Sequence, residues 1–238
     1  MGDFLNHAVD VWLVRLPAHP LTAAATDDLL SLVDADTRQR VLRYHQPERD
    51  RTLAAHAGLR RLLAPRLAVP PAAITLERSC AACGSTEHGK PSLAGVHGIE
   101  FSLSHSGELV AIAIAGMPVG VDVQLRSPET DWASIRSDVF THDEWSDDPI
   151  ALNDLWARKE AVAKTTGLGM SARFSEIHPA STGVRSWAAG RIAGRDLGST
   201  THSAAVAILG GSPVVTQHAL ALSAITHTVE AEAVPSDS

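Results

Sequence analysis

Two short segments carry side chains whose types and spacing suit chemistry on a phosphate. In GVDVQ, residues 120–124, Val121 and Val123 alternate with Gly120, Asp122 and Gln124. A strand here turns its valines to one side and two oxygen-bearing side chains to the other. Gly120, on the second side, permits close approach of a ligand or of another backbone. A carboxylate and an amide two residues apart are a fair arrangement for a hard cation such as Mg²⁺. In LWARKEAVAKTTGLGM, residues 155–170, Glu160 and Lys164 lie one helical turn apart, on a face with Trp156. A plain surface ion pair of this kind is worth only ~0.3–0.5 kcal/mol. Here Leu152, Leu155, Val162 and Ala163 mark the buried stripe, and Glu160 falls at its margin. A carboxylate at that position is placed to join Asp122 on a metal, and the lysine to meet a phosphate oxygen as a point charge.

Further candidates are less specific. His105 sits between Ser104 and Ser106, just before Gly107, where a strand would end. Most lone histidines are structural, but the flanking hydroxyls add donors that suit phosphate. The segment is no nucleophile elbow, which needs glycines two positions either side of the serine. From Asp36 to Arg66 the acidic chain concentrates eight arginines, including Arg38, Arg40 and Arg51. Most of them would coat a solvated helix face; a subset is suited to gripping a phosphate bidentately. Neither a Walker loop nor GxGxxG is present, so a nucleotide must be held another way. Cys80, Cys83 and His88 read as half a zinc site, with His97 the one further candidate ligand, or else as two thiols in a loop.

These residues need elements to position them. Residues 9–16 alternate as an opening strand, and residues 22–45 read as one helix capped by Thr22 or Thr26. A second helix carries Leu53, Ala57, Arg60, Leu63 and Leu67 at helical spacing and stops before Pro70 and Pro71. A loop is expected to about residue 98, then strands over 99–106, 108–116 and 119–124. Helices are expected over 131–145 and 151–166, then short strands to 225 and a frayed tail. SHSGELVAIAIAG (104–116) is echoed by THSAAVAILGG (201–211), a hint that two halves carry related strands.

The chain has 238 residues, 45% of them hydrophobic and 4% aromatic, so a sizeable core must be built from Ala, Val, Leu and Ile. Its net charge of −7 argues against general nucleic-acid binding. It shows neither the pattern of a signal peptide nor an apolar run long enough to span a membrane. A soluble, cytoplasmic protein is expected.

HGKP (88–91), FSLSHSG (101–107), GVDVQ (120–124) and WARKEAVAKTTGLGM (156–170) stand in an order that resembles the Sfp-type 4′-phosphopantetheinyl transferases. That family's pattern is a G-[IV]-D-[IV]-E strand followed by a W-x-x-K-E-A-x-x-K helix; here Asp122 and Glu160 are 38 residues apart. The resemblance implies an α+β fold of two similar subdomains in a pseudo-twofold arrangement, with coenzyme A in the cleft between them. The subdomains would be 1–119, on the adenine and 3′-phosphate side, and 120–225, with the catalytic residues; 226–238 would be a flexible tail. It implies Mg²⁺-dependent transfer of the phosphopantetheine arm of coenzyme A to a serine of an apo acyl or peptidyl carrier protein. Adenosine 3′,5′-bisphosphate would be released. Carriers of secondary-metabolite synthesis, polyketide or nonribosomal peptide, are suggested beside those of fatty-acid synthesis, and a monomer is expected.

By motif match, Asp122, Gln124 and Glu160 would hold Mg²⁺, and Glu160 would also act as base. Lys164 would meet the transferred phosphate, and Ser104 and His105 the coenzyme A phosphates. Lys90 and Pro91 would lie at the adenine end, with Arg51 and Thr52 closing on it. Two departures stand out. Gln124 occupies a position that is often Glu in the family. Asp36 and Gln39, beside Arg38 and Arg40, stand where some relatives carry lysines for the 3′-phosphate. Two other readings of the same residues are a Mg²⁺-dependent phosphohydrolase, with water as nucleophile, and a non-catalytic coenzyme A or carrier-binding module.

Overall fold

The computed structural model describes residues 7–80, 82–86, 89–183 and 185–226. His88 and the expected tail from 227 lie outside them. Strand β1 (Ala8–Arg15) buries Val9, Val11 and Val14. The single helix expected over 22–45 is two, α1 (Ala23–Ser31) and α2 (Ala35–Val41). Thr22 caps the first through Ala25 N–H. The break comes at Asp34, whose carboxylate accepts Thr37 N–H at 2.8 Å and is paired with the fully buried Arg60 guanidinium. Such a residue starts a helix rather than continuing one. Helix α3 (Glu48–Leu67) carries the spaced set Leu53, Ala57, Arg60 and Leu63 fully buried.

The expected loop before residue 98 contains a hairpin, β2 (Leu76–Ser79) with β3 (Lys90–Leu93). Four-residue strands reading LERS and KPSL show too little alternation to be seen in sequence. Then come β4 (Glu100–Ser106), β5 (Leu109–Ala115) and β6 (Val119–Leu125), as expected. The helix expected over 131–145 shrinks to a 3₁₀ turn at Trp132–Ile135 and α4 (Arg136–Val139). Phe140 and Trp145 leave the helical path, Phe140 packing edge-to-face with both Trp132 and Trp145. Helix α5 (Pro149–Thr166) starts on the Asp148 cap, with Pro149 in its first turn, and ends at Gly167, whose φ of 76° suits only glycine well. Strands β7 (Ala180–Gly183), β8 (Ser186–Ala189), β9 (Ile192–Asp196), β10 (His202–Leu209) and β11 (Val214–Leu220) follow. Residues 222–225, expected to extend the last strand, and Thr226, expected in the tail, form helix α6 (Leu222–Thr226) instead, with Ile225 buried beside α3.

One sheet has the order β11-β1-β5-β4 and the other β6-β10-β9-β8-β7. The chain thus forms a mixed helix-and-sheet fold layered helix, sheet, sheet, helix. Val110, Ile112 and Ile114 of β5 pack with α3, whereas Leu109, Ala111 and Ala113 face the second sheet. In β10, Ala205 and Ala207 pack with α5, and Ala204, Val206 and Ile208 face the first sheet. Burial on both faces is why these two strands read as nearly unbroken apolar runs. Gly120 takes α5 against its open side, where an added Cβ would stand 2.0 Å from Ala161 O. The close approach that this glycine permits is therefore that of a helix backbone.

The two sheets also meet edge to edge. The N–H groups of Val121, Val123 and Leu125 donate to the hydroxyls of Ser102, Ser104 and Ser106, at 3.0, 3.2 and 3.0 Å. The alternation of β4 turns its serines toward β6 and leaves His105 on the other face, within reach of α3.

Candidate active site

Asp122 lies on this seam and is buried, 2% exposed. Its Oδ1 accepts from Ser104 Oγ at 2.8 Å and from Lys164 Nζ at 2.6 Å; its Oδ2 accepts from Gln124 Nε2 at 2.9 Å. Lys164 Nζ also donates to Ser104 Oγ at 2.9 Å. Ser104 therefore gives its one proton to Asp122 while accepting from Val123 N–H and Lys164. In this arrangement its hydroxyl has no donor left for a phosphate.

Glu160, one turn before Lys164 on α5, is 7% exposed. Burial pushes its carboxyl up to about 7, the negative charge of Asp122 adds to the rise, and Lys164 opposes it. A carboxyl poised there can take or give a proton at neutral pH. The repulsion between the two acidic groups also marks where positive charge would be welcome. Asp122, Glu160 and the amide of Gln124 make an all-oxygen donor set that fits a hard divalent cation keeping some of its own water. Among the described residues no three His, Cys, Asp or Glu side chains gather as a metal site, so the set contains two carboxylates and not three.

Lys159, adjacent to Glu160, has a different role. It is fully buried and donates to Val139 O at 2.8 Å, Phe174 O at 2.9 Å and Glu144 Oε2 at 2.7 Å. It thereby ties the segments on either side of α5 to the helix that bears Glu160. Sequence reasoning missed this function; the visible signal was a lysine beside an apolar stripe.

A second polar group lies across β4. Thr52 Oγ1 is 3.4 Å from His105 Nε2, and Glu48 Oε1 is 3.6 Å from the same nitrogen. Arg51 NH1 reaches Glu48 at 3.5 Å, and Arg51 Nε is buried without a hydrogen-bond partner. Burial holds the His105 imidazole below its ordinary pKa, Glu48 pulls it up, and Lys164 and Arg51 push it down. Arg51 also borders a cavity of about 460 Å³ with Asp50, Gly107 and Glu108.

Lys90 and Pro91 line another cavity, of about 370 Å³, together with Ser102, Lys164 and the turn after α5. Lys90 Nζ donates to Val119 O at 2.9 Å and lies 3.8 Å from Glu100. Burial holds the Lys90 ammonium below its usual pKa. The structure thus brings Ser104, Asp122, Gln124, Glu160 and Lys164 together, with Lys90 and Pro91 on the wall beside Lys164 and His105, Arg51 and Thr52 behind β4. Asp36 and Arg40 border a separate hollow with His56 and Arg78, and Arg38 donates to Leu30 O at 2.8 Å. Cys80 is buried and Cys83 exposed in the loop between β2 and β3.

The sequence profile of the 4′-phosphopantetheinyl transferase superfamily matches residues 118–223. A 4′-phosphopantetheinyl transferase of Bacillus subtilis is 30% identical over 161 residues, covering 64% of this chain and 68% of that relative. The chain belongs to the 4′-phosphopantetheinyl transferase superfamily. The 4′-phosphopantetheinyl transferase Sfp of Bacillus subtilis strain 168 is 27% identical over 161 residues, with the same shares of both chains. The transferase psf-1 of Bacillus pumilus is 33% identical over 135 residues, covering 53% of this chain and 54% of its own length. The motif resemblance therefore holds, and the chain is an enzyme of the transferase class. The profile match contains β6 and α5, and with them Asp122, Gln124, Glu160 and Lys164. Among the described residues no helix is long and apolar enough to cross a membrane.

Proposed function

We propose that this enzyme transfers the phosphopantetheine arm of coenzyme A to a serine hydroxyl of an apo acyl or peptidyl carrier protein, releasing adenosine 3′,5′-bisphosphate. The observation that carries the reading is the meeting of the buried Asp122 and Glu160 with Lys164 on the strand and helix that the family profile matches. Phosphoryl transfer needs positioning and charge stabilisation more than covalent work by the protein, and no protein nucleophile is required. Glu160 is placed to accept the proton of the incoming serine. Lys164 places its ammonium on a phosphate oxygen, and Asp122 and Ser104 fix where that ammonium starts.

Asp122 and Glu160, with the amide oxygen of Gln124, would hold Mg²⁺, which when bound supplies charge neutralisation at the pyrophosphate. His105 would meet the coenzyme A phosphates, and Arg51 and Thr52, beside it, would close on the adenine end, where the buried, unpartnered Nε of Arg51 suits an anionic group. Lys90 and Pro91 border the adenine end. Carriers of polyketide or nonribosomal peptide synthesis are the substrates the family resemblance favours.

A pseudo-twofold pair of subdomains, 1–119 and 120–225, belongs to the same reading. In the first, β1 runs antiparallel to β5 and β5 to β4; in the second, β6 runs antiparallel to β10 and β10 to β9, whereas β11 crosses to pair in parallel with β1 in the first sheet. Each has one long helix, α3 or α5, on its outer face. The sequence echo fits for the strand bodies, since residues 109–115 and 202–209 are the matching strands β5 and β10. Its two histidines do not correspond: His105 ends β4 and His202 begins β10.

Chromatography of the nucleotide product tests the reading. Adenosine 3′,5′-bisphosphate should appear only when an apo carrier protein is present. Release from coenzyme A without any carrier would favour a phosphohydrolase that uses water as nucleophile.

A further inference from the structure

Both oxygens of Asp122 are engaged, and the strongest partner is a cation. Lys164 Nζ stands 2.6 Å from Oδ1 and is steadied at 2.9 Å by Ser104 Oγ, while Gln124 Nε2 covers Oδ2 at 2.9 Å. The site holds two acidic side chains, Asp122 and Glu160, against this one ammonium. A divalent cation on Asp122 and Glu160 would share the Asp122 carboxylate with that ammonium, and the two positive charges would repel. The ammonium has three N–H donors, and Asp122 and Ser104 take two. Lys164 is 25% exposed at its side chain and borders the open cavity of about 370 Å³, so it has somewhere to go.

We propose that Lys164 holds the place of the divalent cation on Asp122 whenever no cation is bound, and gives up Asp122 only when a phosphate oxygen arrives to receive it. This rests on the reading of Asp122 and Glu160 as the metal-holding pair. The consequence is thermodynamic coupling. A cation displacing Lys164 without a phosphate strands an ammonium, and a phosphate drawing Lys164 away without a cation strands two acidic groups. Each ligand therefore raises the other's affinity. The lysine thus guards the site against occupation by cation alone and holds the carboxylates apart from solvent until coenzyme A enters.

The test is equilibrium binding of Mn²⁺, followed by electron paramagnetic resonance of the free ion, for wild type, Lys164→Met and Lys164→Gln, with and without coenzyme A. Lys164→Gln keeps a hydrogen-bonding side chain beside Ser104 and guards against loss of fold in the methionine variant. Without coenzyme A, both variants should bind Mn²⁺ about ten-fold more tightly than wild type, the scale of ordinary coupling between sites. Asp122→Asn in the Lys164→Gln background should abolish that gain. Equal Mn²⁺ affinity for wild type and both variants, with binding enhanced by coenzyme A in all, would overturn the stand-in role and leave the metal pair standing. No Mn²⁺ binding by any of the proteins, even with coenzyme A, would overturn the metal pair and the inference with it.

Discussion

Ser102 accepts the backbone N–H of Val121 through its side-chain oxygen at 3.0 Å, and Ser104 and Ser106 do the same for Val123 and Leu125. The edge strands of two sheets are thus joined by a row of hydroxyls in place of a backbone ladder. The middle member also reaches the candidate site, because Ser104 donates to Asp122 and accepts from Lys164. The seam and the site are one structure. Ser102→Ala leaves a buried N–H unpaired and should cost about 1–3 kcal/mol in urea unfolding. Ser104→Ala should cost a similar amount, and it should also lower kcat/KM further than Ser102→Ala does, since it loosens Asp122 and Lys164. Equal losses of kcat/KM in the two variants would confine Ser104 to a structural role.

Glu160 is the residue whose removal should stop the reaction with least effect on the rest of the protein. Glu160→Ala is expected to lower turnover roughly 10²–10⁴-fold, the usual contribution of a positioned acid or base. Circular dichroism should show an unchanged fold. Wild-type turnover in this variant, measured by carrier labelling, would take Glu160 out of the mechanism.

Gln124 offers a neutral oxygen where many relatives are expected to offer a charged one. Ligand charge tunes the affinity of oxygen sites for divalent cations. Gln124→Glu should therefore lower the Mg²⁺ concentration giving half-maximal rate, by roughly three- to ten-fold. An unchanged Mg²⁺ dependence would mean that residue 124 is no ligand.

His56 gives the fold a pH dependence of its own. Burial first, and then the neighbouring Arg60, push its imidazole down to about 3 from an ordinary 6.5. Arg60 NH1 donates to His56 Nδ1 at 3.4 Å, which requires that nitrogen to be unprotonated. The unfolded chain binds this proton more readily than the folded one. His56 therefore leaves stability undiminished above pH ~6.5 and lowers it as pH falls from there toward ~3, by ~1.4 kcal/mol per pH unit. Between pH 7.5 and 5.0, wild type should lose about 2 kcal/mol more than His56→Gln in urea unfolding. Parallel losses in the two proteins would show that another group dominates.

How much of this was legible in sequence depended on how local each cause was. Strand β6 and helix α5 announce themselves through side-chain period and β5 through an unbroken apolar run, and Asp122, Glu160 and Lys164 fall on β6 and α5 once those elements are placed. The split of α1 from α2 rests on Asp34, whose partner Arg60 lies 26 residues on, so the local pattern reads straight through it. The β2–β3 hairpin is too short to show a period. Lys159 looks like a surface lysine until its three acceptors, Val139, Phe174 and Glu144, are brought round it by the fold. The serines of SLSHS alternate visibly, yet their use as a seam depends on a second strand edge that only the tertiary structure supplies. Gly120 signals close approach, but only the fold shows that the approaching group is the backbone of α5.

The central claim is carrier modification, and intact mass reads it most directly. Apo carrier proteins of fatty-acid, polyketide and nonribosomal peptide type would be incubated with the enzyme and coenzyme A, with Mg²⁺ or with EDTA. The account predicts that at least one carrier gains the mass of a single phosphopantetheine arm with Mg²⁺ and none with EDTA. No gain on any carrier, from a folded enzyme that binds coenzyme A, would contradict it.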